Sequence, residues 1–76
     1  MYEIGLVDGY AGEAICICGP FYVKDTAINC MHDGNRVERP SGYIWMWARE
    51  GEIRKANDCE RVNTDSARAK ELGLVS

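Results

Sequence analysis

The chain has a single phenylalanine, a single histidine and only two prolines, and nowhere a long uninterrupted apolar run. A helix needs roughly 20 consecutive apolar residues to cross a bilayer, so no membrane-spanning helix and no membrane partner are expected. Met1-Tyr2-Glu3 lacks a basic segment leading into an apolar one, so no secretory leader is expected and cytoplasmic residence is the default. Phosphate-binding signatures are missing too. Gly9-Tyr10-Ala11-Gly12 does not fit the dinucleotide fingerprint, and there is no Walker sequence, so no cofactor is expected. One histidine with no activated neighbour leaves no nucleophile–base set, so the chain is not expected to be an enzyme.

What is present fits one small globular domain spanning residues 1–76. Hydrophobic residues make up 46% and charged residues 28%, enough for a core but a thin one at this length. The net charge of −3 argues against direct nucleic-acid binding, which draws on Lys and Arg to neutralise phosphates. That charge is unevenly spread. Residues 1–33 carry Glu3, Asp8, Glu13, Asp25 and Asp33 against Lys24 alone, while the remainder is close to neutral. An acidic half of this kind suits a partner protein with a basic surface, such as one that normally holds nucleic acid.

Apolar residues mostly alternate, which is the signature of strands. Tyr2, Ile4 and Leu6 share one face of a first strand. Glu13–Cys18 is apolar on both faces, with Ile15 and Ile17 on one and Ala14, Cys16 and Cys18 on the other. Gly19-Pro20 interrupts it, and Phe21–Val23 resumes it. Ala27–His32 reads as a strand, Asp33-Gly34 as a hairpin turn and Arg36–Glu38 as a short return. Tyr43–Arg49 is the clearest strand; Glu52–Ala56 follows after Glu50-Gly51. Asn57 and Glu60 have capping-box spacing and suggest an extra helical turn at 58–62. A last helix is expected over 65–72, capped by Thr64 or Asp65, closed by Gly73 and docked through Ala69 and Leu72. The fold expected is α+β, mostly β: a five- or six-strand antiparallel meander, as a curled sheet or small open barrel, with one short C-terminal helix.

Three groups of side chains are candidates for function. Cys16, Cys18, Cys30 and His32 would each pair on a strand face and could supply the S and N ligands of a zinc site, although their spacing lacks the usual two- to four-residue knuckle. The alternatives are that these cysteines are reduced and serve as small buried hydrophobes, the reading a reducing compartment favours, or that two of them form a disulfide. Cys59, beside charged residues, is the thiol expected to oxidise most readily. The second group is Tyr43, Trp45 and Trp47. They are either core or an aromatic interface; with Arg36, Arg39, Arg49 and Arg54 they could also stack bases, which would make the chain a weak nucleic-acid-binding module. The opposite row, Ile44, Met46 and Ala48, becomes the exposed one if the aromatic row turns inward. The third group is the set of acids Glu3, Asp8, Glu13, Asp25 and Asp33.

In size and charge the chain is similar to the compact acidic accessory proteins of phages and mobile elements that block a host nucleic-acid machine, anti-CRISPR inhibitors among them. The absence of a catalytic set, the aromatic strand and the acidic half point to a non-catalytic protein-binding protein, which the analogy narrows to such an inhibitor. Its contact residues would be Glu3, Asp8, Glu13, Asp25, Asp33, Tyr43, Trp45 and Trp47, and homodimerisation through an edge strand is a further expectation. The alternative reading is a small zinc-binding module.

Overall fold

The computed structural model describes residues 1–74. The chain is α+β and mostly β. It runs β1 (Tyr2–Asp8), β2 (Glu13–Phe21), α1 (Lys24–Asn35), β3 (Tyr43–Arg49), β4 (Arg54–Val62) and α2 (Ala67–Glu71). The strands form one open four-stranded sheet in the order β3-β1-β2-β4. β1 is antiparallel to β2 and to β3, whereas β4 runs parallel to β2. The sheet is therefore mixed, with four strands rather than five or six, and it neither forms an antiparallel meander nor closes into a barrel.

The largest correction concerns residues 24–35. Ala27–His32 is not a strand but the middle of α1, and Asp33-Gly34 is its last turn rather than a hairpin. The inward residues Ala27, Cys30, Met31 and Gly34 follow the i, i+3, i+4, i+7 spacing of a helix face. Arg36–Glu38 forms no return strand. Residues 58–62 are not helical either; they belong to β4, which extends from Arg54 to Val62. At Gly19-Pro20 the pairing with β1 shifts register but β2 runs on to Phe21, and Tyr22 and Val23 do not resume it.

Other expectations hold. β1 and β3 lie where the alternation puts them, and Tyr2–Asp8 pairs with Tyr43–Arg49 without a shift. The last helix is present over Ala67–Glu71. Its cap is Ser66, whose hydroxyl accepts from the Ala69 amide at 3.2 Å, rather than Thr64 or Asp65. Gly73 has φ 77°, as a closing glycine requires.

Two apolar layers flank the sheet. On the α1 side, Ile4 and Leu6 of β1, Cys16 and Cys18 of β2 and Trp45 of β3 pack with Ala27, Ala69 and Leu74. Gly34 lets Trp45 approach the helix: a Cβ there would lie 2.7 Å from the indole Cδ1 and 2.6 Å from Leu74 Cδ2. The opposite face has a smaller layer of Val7, Ala14 and Ile17 with Ile53 and Cys59. A register irregularity between Ala14 and Cys16 moves Ala14 onto Ile17's face, whereas unbroken alternation would put it beside Cys16. Residues 50–53 carry the chain from the β3 edge to the β4 edge, and Ile53 lies against Gly5 on this second face.

Candidate functional site: the outer edge of β3 and the adjoining face of α1

β3 borders the sheet and pairs only with β1, so its other edge faces outward. An exposed edge normally invites another strand. Here part of it is plugged by side chains. The Asn35 amide donates to the Trp45 carbonyl at 3.1 Å and accepts from the Trp45 amide at 2.9 Å, copying the two bonds of a neighbouring strand. The Arg39 guanidinium donates to the Tyr43 carbonyl at 3.1 Å and is anchored by the Asn35 and Val37 carbonyls. The Tyr43 amide donates to the Pro40 carbonyl at 3.1 Å. Edge pairing over Tyr43–Trp45 is thereby taken up from within the chain.

The side chains around this closed edge remain available. Ile44 is 47% exposed, Met46 49% and Trp47 38%. Alternation sends Ile44 and Met46 to the face opposite α1 and Trp47 to the α1 side, so the apolar surface wraps around the border of the sheet. Trp47 is held in place. Its ring lies 6.2 Å from that of Tyr2, tilted by 59°, and the Lys24 ammonium sits 5.6 Å from its centroid. Between β3 and α1 runs a groove of about 400 Å³ lined by Met31, His32, Asn35 and residues 44–47 of β3. It offers an apolar bed with an imidazole and an amide as its polar groups, which suits a side-chain anchor from a partner better than bond-making chemistry.

The structure separates the aromatic row. Trp45 is 2% exposed and belongs to the core, Tyr43 is half-buried and Trp47 reaches the surface. A three-ring platform for bases is not presented. Three of the four arginines expected beside it are also engaged: Arg39 with backbone carbonyls, Arg36 with Asp33 at 3.5 Å and Arg54 with Glu13 at 3.7 Å.

The five acids do not form one surface. Glu3 is 3% exposed, beneath Lys55 at 3.8 Å. Asp8 accepts from the Tyr10 amide at 2.7 Å at the end of β1, and Glu13 faces Arg54. Asp25 and Asp33 lie in the first and last turns of α1, roughly 12 Å apart along its axis.

The thiols and the histidine do not converge either. In α1 the i, i+2 pair Cys30 and His32 points about 160° apart, so the helix undoes the strand geometry that would place them together. Cys30 turns inward and donates to the Leu74 carbonyl at 3.3 Å, while His32 is exposed at the groove. Among the described residues no three His, Cys, Asp or Glu side chains are grouped as metal ligands. All four cysteines are free. Burial, reinforced by the charge of Glu60, pushes the Cys16 thiol from 9.0 up to about 11. Cys18 is held higher still, by the adjacent Cys30 thiol first and by burial second. Cys59 is half-buried against the second-face layer, and burial raises its thiol too, which opposes the ready oxidation expected from its neighbours.

Ile44 and Met46 were legible as the alternative exposed row. Lys24, Met31 and Asn35 were not: each acts from α1, and a strand reading of that segment cannot place them beside β3. Comparison with protein-family models, with curated proteins and with solved structures finds no match to this chain.

Proposed function

We propose that the chain is a non-catalytic protein-binding domain whose contact surface is the β3 edge and the adjoining face of α1. The observation that supports this is the exposure of Ile44, Met46 and Trp47 around an edge whose backbone is already partly satisfied by Asn35 and Arg39. Large apolar side chains left exposed side by side carry a solvation cost that a partner removes, and Trp at the centre of such a patch is a frequent energetic anchor. With Tyr43–Trp45 plugged, the partner is held by side chains in the groove rather than by strand addition, and self-pairing through this edge is disfavoured.

The finer reading is an accessory inhibitor that occupies a basic nucleic-acid-binding surface of a host machine. It rests on the small size and the net charge of −3. Glu3 does not contribute to such a surface because it is buried, so the exposed acids of this version are Asp25, with Asp8, Glu13 and Asp33 at the periphery.

Affinity capture from cells expressing the tagged chain, with Met46→Glu, Trp47→Ala and a control Asp58→Ala on β4, tests the surface. The expected result is one protein retained by the parent and by Asp58→Ala and lost from the other two. Equal recovery on Met46→Glu and the parent would refute the site. Affinity that weakens as salt rises supports the charged version; affinity unchanged by salt removes it while leaving the apolar surface in place.

A further inference from the structure

Two of the four free thiols meet across the interface between α1 and the sheet. Cys18 projects from β2 and Cys30 from α1 into the same core layer, and the two side chains are in hydrogen-bond contact. The remaining thiols are placed differently. Cys16 and Cys18 are two residues apart on one strand face, about 7 Å, whereas a disulfide needs Cβ atoms about 3.5–4.5 Å apart. Cys59 packs on the opposite face of the sheet, against Val7, Ala14 and Ile17.

Cys18 and Cys30 differ in access and in acidity. Cys18 is 0% exposed. Cys30 is half-buried and lines a groove of about 280 Å³, with Phe21, Thr26, Asn29 and Leu74 among its other walls. At roughly 30 Å³ per water, that space admits a small oxidant with room to spare. When neutral, Cys30 donates its proton to the Leu74 carbonyl at 3.3 Å. When ionised, it accepts from the Cys18 S–H, which lowers the Cys30 thiol against the opposing effects of burial and Asp33. The same contact first, and burial second, keep Cys18 protonated. An accessible thiol that ionises readily beside a second thiol that keeps its proton is an attacking and a resolving pair.

We propose that Cys18 and Cys30 are a redox-active pair that hydrogen peroxide closes to a disulfide, tying the middle of α1 to β2. The Cys30 thiolate, its proton released to solvent, attacks one peroxide oxygen. The O–O bond breaks, Cys30 carries a sulfenic acid, and the leaving hydroxide takes up a proton to form water. The negative charge that held the Cys18 proton is then gone. Cys18 attacks the Cys30 sulfur; the S–S bond forms, the S–O bond breaks, and the leaving hydroxide takes the Cys18 proton as a second water. The two thiols lose two electrons, and the peroxide is reduced to two waters. The new bond lies next to Met31 and close to His32, which line the β3 groove, so the oxidised chain carries that groove on a helix fixed covalently to the sheet.

Mass spectrometry of the full chain tests this, after treatment of the reduced protein with hydrogen peroxide, blocking of free thiols and digestion with trypsin. The chain used is Cys16→Ala, because Cys16 and Cys18 share the tryptic peptide that ends at Lys24, whereas Cys30 and Cys59 each lie on another. The expected product is a monomer lighter by two hydrogens, its Cys18 and Cys30 peptides linked and separated again by dithiothreitol. Cys30→Ser, altered at the groove, is expected to lose the link, and Cys18→Ala to leave Cys30 as a sulfenic acid that dimedone traps. A main cross-link that involves Cys59 would overturn the proposal. So would oxidation of Cys59 ahead of Cys30, or Cys30 accumulating as sulfinic acid with no link to Cys18.

Discussion

An alanine at position 34 would set its Cβ within 2.6–2.8 Å of Leu74 and the Trp45 indole. Alanine favours a helix over glycine by about 1 kcal/mol, but forcing a methyl into a packed site costs typically about 1–3 kcal/mol, and the rigid ring cannot swing away without leaving the core. Gly34→Ala is therefore expected to lower unfolding stability by about 1–2 kcal/mol in a denaturant titration. Cys16 supplies a second residue-scale test. Its thiol is neutral when folded up to about 11, against 9.0 when exposed. An acid whose folded pKa is raised stabilises the fold fully below the unfolded value, and that contribution is lost as pH rises from 9.0 toward about 11. The parent should lose about 2 kcal/mol more than Cys16→Ala across this window, measured as the difference between their stability–pH curves. Single residues were unevenly legible in the sequence. The burial of Cys16 and Cys18 follows from their place in an apolar strand. The role of Gly34 does not, because Asp-Gly signals a turn unless the helix that uses it for close approach is already known.

β3 shows at the scale of an element how side chains govern an edge. Asn35→Ala removes both bonds to the Trp45 backbone, which at roughly 1 kcal/mol each is expected to cost about 1–2 kcal/mol. It also reopens the edge, so the variant should exchange the Trp45 amide faster and associate with increasing concentration in sedimentation, where the parent does not. Strands β1 and β3 were legible because side chains that alternate every two residues match the pleat of a strand and not the turn of a helix. α1 was not. Two of its four inward residues are Cys30 and Gly34, weak hydrophobes that blur the helical period, and Val23 at its start makes no side-chain cap. β4 was only half legible: Asn57-Asp58-Cys59-Glu60 resembles a helix start, and its pairing with β2 overrides that local preference. The bidentate bond from Arg68 to Glu60, at 2.8 and 3.1 Å, then fastens β4 to α2.

Over the whole molecule, the fold turns one face of the aromatic strand into core and leaves the border of the sheet apolar. The thin core of a 76-residue chain needs Trp45 inside, where it lies 2% exposed. Ile44, Met46 and Trp47 are not needed there and remain outside. Alternation predicted a β-rich chain with an aromatic strand as its most informative segment, and length and composition predicted little core to spare. It could not predict that the acids would scatter, because charge imbalance along a sequence says nothing about where a sheet and a helix will carry each residue. Hydrogen exchange of the chain alone and bound to its captured partner tests the central claim most directly. Protection confined to residues 43–49 and the 31–35 turn of α1 is the predicted result. Protection centred on β4 or α2, with β3 exchanging as in the free chain, would contradict it.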